Sequence, residues 1–220
     1  MLEAWREANR PFELNDYTGP TGGSLWQFDR RRRSTVVITA VHGVRHTRSE
    51  TIGKANDANT GGLALVLGNE HKMSVGLVRR SDEALDVNSD PGHPFKAALI
   101  ELLRPAPGHH LVDLHGMSDS YGVDVALGLG RDPSPEVLRA GERVRRALLA
   151  TDLSVDFGGE ATGLRGAGPG TLTTWAAGIG LIGMQLEIRR GLRSFRSPSS
   201  DRIRLIRGLS SAFGALAAND

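Results

Sequence analysis

Apolar residues along this 220-residue chain fall into two patterns, short unbroken runs and longer stretches at helical spacing. Unbroken runs rich in β-branched residues predict strands covered on both faces. The first such run covers residues 35–41, and further strands are expected over 74–78, 111–115, 124–129, 171–174 and 182–188. Helical spacing predicts helices over 51–68, 95–103, 135–150 and 200–217, the first announced by Ser49-Glu50-Thr51 and weakened by Gly61-Gly62. Strand and helix alternate, which implies right-handed crossovers between parallel neighbours. The expected fold class is α/β, a mixed, mostly parallel central sheet flanked by helices. Length favours a single domain over 1–220, with the polar, turn-rich residues 1–34 as an irregular N-terminal arm. Residues 79–94 form a connection long enough to suggest a functional loop, and 158–170 form a glycine-rich one.

Three of the apolar runs end in residues capable of chemistry. Val36-Val37-Ile38-Thr39-Ala40-Val41 runs into His42-Gly43, and Leu111-Val112-Asp113-Leu114 into His115-Gly116. Gln185, Glu187 and Arg189 alternate with Leu186 and Ile188, so these polar side chains share one face of a strand. Open α/β folds build their sites outside the carboxyl ends of the strands. A catalytic zinc needs about three protein ligands and one open position, and His42 and His115 are the first two candidates. The third is His46 or Glu50, four and eight residues past His42 in the same loop. His46 is preferred, because a glutamate there also suits a helix N-terminus. Asp113 shares a face with His115 and is a candidate to orient a histidine ligand. Glu187 is the candidate general base, since a glutamate among apolar residues is partly desolvated. Arg165 is a candidate clamp for a substrate carboxylate.

Composition narrows the chemistry. There are no cysteines, so disulfides, thiolate nucleophiles and cysteine-held zinc are excluded, and a metal must be held by histidine and carboxylate. Lysine and arginine total 27 against 25 acidic residues, a net charge of +2 that argues against a nucleic-acid surface despite a pI near 9.4. Arg30-Arg31-Arg32-Arg33 reads as a solvated approach to the first buried strand. No segment approaches the roughly 20 apolar residues that span a bilayer, and no apolar signal core opens the chain, so a cytoplasmic protein without a membrane partner is expected.

Four blocks then carry a resemblance: Val37-Ile38-Thr39-Ala40-Val41-His42-Gly43, Lys54-Ala55-Asn56-Asp57-Ala58-Asn59-Thr60-Gly61, Val112-Asp113-Leu114-His115 and Gln185-Leu186-Glu187-Ile188-Arg189. In this order they resemble the motifs of the N-formylglutamate amidohydrolase family, itself distantly similar to zinc carboxypeptidases. The resemblance implies a phosphorylase/hydrolase-like fold, one zinc ion per chain and hydrolysis of an amide on a small carboxylate-bearing substrate. It matches His42 and His115 to the family's histidines and Glu187 to its late-strand general base. It departs at Val44-Arg45-His46, where a carboxypeptidase-like pattern places a glutamate.

The expected enzyme therefore holds zinc on His42, His115 and either His46 or Glu50, uses Glu187 as base, and meets the substrate carboxylate with Arg165, Arg189 or Arg190. A peptidase or γ-glutamyl amide hydrolase is the alternative within that chemistry. A metal-free binding module, presenting the four-arginine run and Arg202, Arg204 and Arg207 to an acidic partner, is the alternative outside it.

Overall fold

The computed structural model describes residues 1–49, 52–54, 56–81 and 86–218. Its strands are β1 (Trp26–Asp29), β2 (Val36–Ala40), β3 (His46–Ser49), β4 (Ile52–Lys54), β5 (Ser74–Val78), β6 (His110–Met117), β7 (Val125–Gly128), β8 (Val155–Phe157) and β9 (Ile182–Arg189). Its helices are α1 (Leu2–Tyr17), α2 (Thr60–Glu70), α3 (Pro94–Leu103), α4 (Pro135–Leu149), α5 (Leu172–Gly178), α6 (Arg190–Arg193) and α7 (Ser199–Ala217).

Seven strands form one sheet in the order β1-β5-β2-β6-β9-β7-β8, and β3 pairs with β4 in a separate hairpin. The four central strands β5, β2, β6 and β9 are parallel, whereas β1 and β7 run antiparallel to β5 and β9. This is the mixed, mostly parallel α/β sheet that the apolar runs predict. Ile38, Leu111, Val112, Leu114 and Met184 are fully buried at its centre, each contributing about 1.5–3 kcal/mol relative to an exposed side chain. The chain leaves β2 for β5 on one side and returns through α3 to β6 on the other, so the order reverses between β2 and β6. A crevice opens at the carboxyl ends of such a strand pair.

Three expectations are corrected. The first 34 residues are not irregular: α1 and β1 lie there, with Trp5, Asn9 and Phe12 buried at helical spacing. The helix expected from residue 51 begins only at Thr60, because residues 46–49 pair with residues 52–54 as β3 and β4. Gly61 and Gly62 weaken that helix in isolation, yet they sit where α1 crosses it. A Cβ on Gly61 would strike the Phe12 ring, and one on Gly62 the backbone of Asn9. The strand expected over 171–174 is the start of α5 instead, capped by Thr171, whose hydroxyl accepts a hydrogen bond from the Thr174 amide at 3.2 Å.

Candidate active site

His42 follows β2 and His115 lies near the end of β6, and the strand pairing brings their rings to 4.6 Å between centroids. Both are buried, at 2% exposure. Asp57 stands between them, with Oδ2 3.1 Å from His115 Nδ1 and 3.4 Å from His42 Nδ1. Its position is set by backbone: the Asp57 amide donates to the His42 carbonyl at 2.7 Å. The turn that follows is clamped from two sides. Asn59, held at φ +72°, takes hydrogen bonds on its side chain from Asn9 and on its carbonyl from the Trp5 indole, both on α1. Asn59 Nδ2 donates to the Arg193 carbonyl, and Arg193 Nη1 donates to the Ala58 carbonyl.

The outer nitrogen of each imidazole meets a different carboxylate. His42 Nε2 lies 2.6 Å from Asp86 Oδ1, and His115 Nε2 lies 2.5 Å from Asp113 Oδ2. Asp113 also accepts from the Thr39 hydroxyl at 2.7 Å and from Asn88 Nδ2 at 3.0 Å. Asn88 in turn accepts from the Leu172 amide, so the loop after β5 is tied to the start of α5. Lys96 strengthens that tie: its buried ammonium donates to the carbonyls of Asp90 and Gly170, each at 2.6 Å.

These contacts make the pocket strongly favourable to positive charge. Burial pushes the Asp113 carboxyl up, but the His115 charge and the hydrogen bonds from His115, Asn88 and Thr39 outweigh it and hold it low. Asp86 behaves likewise, its burial overcome by the hydrogen bond to His42 and the adjacent imidazoles. Burial would depress His115, yet Asp113, Asp57 and Glu187 together raise it well above its ordinary value. A cation is the group this field holds best, whether a proton or a metal ion.

Among the described residues, two sets of buried side chains could bind a metal, and they share His42: His42, His46 and Asp86, or His42, Asp57 and His115. Their geometry differs. Two ligands at about 2.0–2.1 Å from one tetrahedral zinc stand roughly 3.3 Å apart. Asp57 lies at 3.1 and 3.4 Å from the two Nδ1 atoms, which fits that separation. His42 Nε2 and Asp86 at 2.6 Å are too close for two ligands of one ion and match a hydrogen bond instead. The Asp57 set thus offers three inward donors, with both histidines oriented from behind by carboxylates.

His46 stacks on the His42 ring at 4.1 Å and turns its Nε2 toward Asp86 at 3.4 Å, an approach that makes no hydrogen bond. Glu50 lies outside the described residues. Glu187 is directly beside His115 in the parallel register of β6 and β9, and Gln185 Nε2 donates to its Oε1 at 3.2 Å. Of the expected arginines, Arg189 pairs with Asp124 at 2.8 Å, and Arg165 is exposed on the loop beside β7. Arg190 lines a cavity of about 800 Å³ that also reaches Asp57, Arg193, Arg196 and Tyr17.

Sequence reasoning placed no role on Asp57, Asp86 or Arg193. Arg193 is 5% exposed, held by the Ile188 and Ala58 carbonyls, and its guanidinium fills the space a side chain at Gly116 would need. That close approach explains the glycine after His115.

No protein-family model and no curated protein matches this chain. Solved structures do. An N-formylglutamate amidohydrolase from Ralstonia eutropha JMP134 is 14% identical with a TM-score of 0.59, over 88% of this chain and 98% of that one. A bacteriophage poly-γ-glutamate hydrolase is 16% identical with a TM-score of 0.54, over 90% and 89%. A zinc-free form of YndL is 16% identical with a TM-score of 0.56, over 90% and 92%. At these identities the likeness is one of fold, and the chain has the α/β fold of these structures.

Proposed function

We propose that this chain is a zinc-dependent amidohydrolase that cleaves an amide bond of a small carboxylate-bearing substrate, such as an N-formyl or N-acyl acidic amino acid. The observation that carries the reading is the buried set His42 Nδ1, Asp57 Oδ2 and His115 Nδ1, with Asp86 and Asp113 on the outer nitrogens. Two imidazoles and one carboxylate are a donor set suited to catalytic zinc. The zinc-free naming of one similar structure and the hydrolase names of the others support the same reading.

When bound, the ion would polarise the amide carbonyl and acidify water. The chain's own groups divide the remaining work. Asp86 and Asp113 accept hydrogen bonds from the Nε2–H groups, which leaves each Nδ1 lone pair free to bind the metal. Glu187 takes the proton of the attacking water on its carboxylate and returns it to the leaving nitrogen. Arg193 is buried beside the site, where the charges of Asp57 and Glu187 oppose the effect of burial on its guanidinium. Arg190 at the cavity wall meets the substrate carboxylate. A cavity of about 800 Å³ lies toward the upper end for small-ligand pockets, which favours γ-glutamyl amides as the second substrate class.

Elemental analysis of protein purified without added metal, followed by a screen of N-formyl, N-acyl and γ-glutamyl derivatives of acidic amino acids, tests the proposal. One zinc per chain and release of a free amine are expected. Parent protein that binds no metal in equilibrium dialysis would refute it.

A further inference from the structure

The N-terminal segment does more than cover the sheet. Helical dihedrals in α1 stop before Leu14, and Asn15, Asp16 and Tyr17 follow with φ of +51°, +56° and +64°. Asparagine and aspartate tolerate this region, but an aromatic residue there is a genuine outlier. It persists because the turn is fixed on several sides. Asn15 Nδ2 donates to the Gly19 carbonyl, the Gly19 amide to Leu14, the Arg45 amide to the Tyr17 carbonyl at 2.7 Å, and the Ser81 amide to Thr18 at 2.7 Å. Strain held in this way gathers at functional sites. Here it delivers the Tyr17 side chain, half-buried, to the wall of the cavity that contains Asp57.

The charged groups lining that cavity are mostly committed. Asp16 pairs with Arg45 at 2.7 Å, Glu13 accepts from Asn9, Asp57 lies between the two histidines, and Arg193 is bound to backbone carbonyls. Among the described residues, Arg190 and Arg196 have no ion pair and no side-chain hydrogen bond, and the Tyr17 hydroxyl has no hydrogen-bond partner. Two uncommitted cations and an uncommitted O–H donor thus line the same cavity. Burial raises the Tyr17 pKa, with Glu13 adding to the effect and the Arg196 and Arg193 charges opposing it, so the phenol stays a donor at neutral pH.

We propose that the Tyr17 hydroxyl, supplied by the N-terminal segment, forms with Arg190 and Arg196 a carboxylate-binding subsite in which Tyr17 directly contacts the substrate. The inference rests on the hydrolase reading for what the subsite serves, though not for the binding itself. A phenol O–H and guanidinium N–H groups are complementary to a carboxylate, which accepts several hydrogen bonds and prefers charge-assisted ones.

The chain has two tyrosines, and Tyr121 is 43% exposed on a separate turn, which makes it an internal control. The zinc-treated protein is labelled with ¹³C at tyrosine Cζ and titrated with glutarate at constant ionic strength, the two resonances being assigned with Tyr121→Phe. A saturable shift of Tyr17 alone is expected. By calorimetry Tyr17→Phe, which keeps the ring and its packing, should weaken glutarate binding about tenfold, as loss of a hydrogen bond to a charged group implies. Arg196→Gln should weaken it by at least as much. A Tyr17 resonance that stays fixed, shifts in parallel with Tyr121, or accompanies unchanged affinity in Tyr17→Phe would overturn the subsite, as would failure of glutarate to bind. Zinc content of the same samples separates the two readings. Metal-free protein whose Tyr17 responds sinks the hydrolase alone, and zinc-loaded protein with a silent Tyr17 sinks the subsite alone.

Discussion

Replacing Asp57 with asparagine distinguishes the two possible donor sets, because the two predict opposite orders of effect. If the metal lies between His42 Nδ1, Asp57 Oδ2 and His115 Nδ1, the substitution removes an anionic ligand, whereas His46→Ala removes a ring stacked behind His42. Zinc binding of about 10–16 kcal/mol shared among four ligands assigns roughly 2.5–4 kcal/mol to each, or about 10²- to 10³-fold in affinity. Asp86 would act from behind His42, and the loss of such an orienting carboxylate costs about 10- to 100-fold. The expected order of loss is therefore Asp57→Asn, then Asp86→Asn, then His46→Ala with little change. Competition against a chromophoric chelator gives each affinity, and circular dichroism confirms that the variants are folded. Should His46→Ala lose more affinity than Asp57→Asn, the ion belongs with His46 and Asp86, and the argument from ligand separations is wrong.

Other substitutions test the surrounding framework. Glu187→Gln should keep the parent's metal content while turnover falls about 10²- to 10⁴-fold, and full turnover in the loaded variant would remove Glu187 from the chemistry. Lys96→Met leaves the Asp90 and Gly170 carbonyls without their buried donor, so urea unfolding should show a loss of roughly 2–4 kcal/mol. A loss below about 0.5 kcal/mol would mean that water replaces the ammonium. Asp156 accepts hydrogen bonds from the Ala161 amide and from the amide and hydroxyl of Thr162, which outweigh its burial and lower its pKa from the ordinary 3.8. Its contribution is complete above that value and is lost as pH falls through the lower folded one. The stability gap between parent and Asp156→Asn should thus be constant from neutral pH to about 4 and shrink below it, and a gap that widens on acidification would contradict the sign.

The sequence made the sheet legible because burial on both faces leaves an unmistakable mark. β2 and β5 are near-continuous apolar runs, β6 is one broken by Asp113 before His115, and the ends of β2 and β6 located His42 and His115 without any knowledge of strand order. The N-terminal helix left a fainter mark. Trp5, Asn9 and Phe12 are helically spaced, but one of the three is polar and Pro11 interrupts the pattern. Asn9 is buried there because it bonds Asn59, a partner 50 residues away that no local window contains.

Asp57 was hidden for a related reason. A helix running from residue 51 would have placed it on a helical face, one acidic residue among many. The actual start is set by Asp57-Ala58-Asn59-Thr60, where the Thr60 hydroxyl returns to the Asp57 carbonyl at 2.7 Å and Asn59 takes the left-handed turn. That arrangement is the local signal that could have exposed it, since asparagine is among the few residues that readily adopt such a φ before a helix. Its meaning is nevertheless tertiary. The turn is held by Trp5 and Asn9 of α1 on one side and Arg193 of α6 on the other, while its amide is fixed to His42. The same α1 that holds Asp57 in place carries the chain on to Tyr17. The proposed metal donor and the cavity wall therefore both depend on α1, and a change that loosens Trp5 or Asn9 should disturb metal binding and ligand binding together.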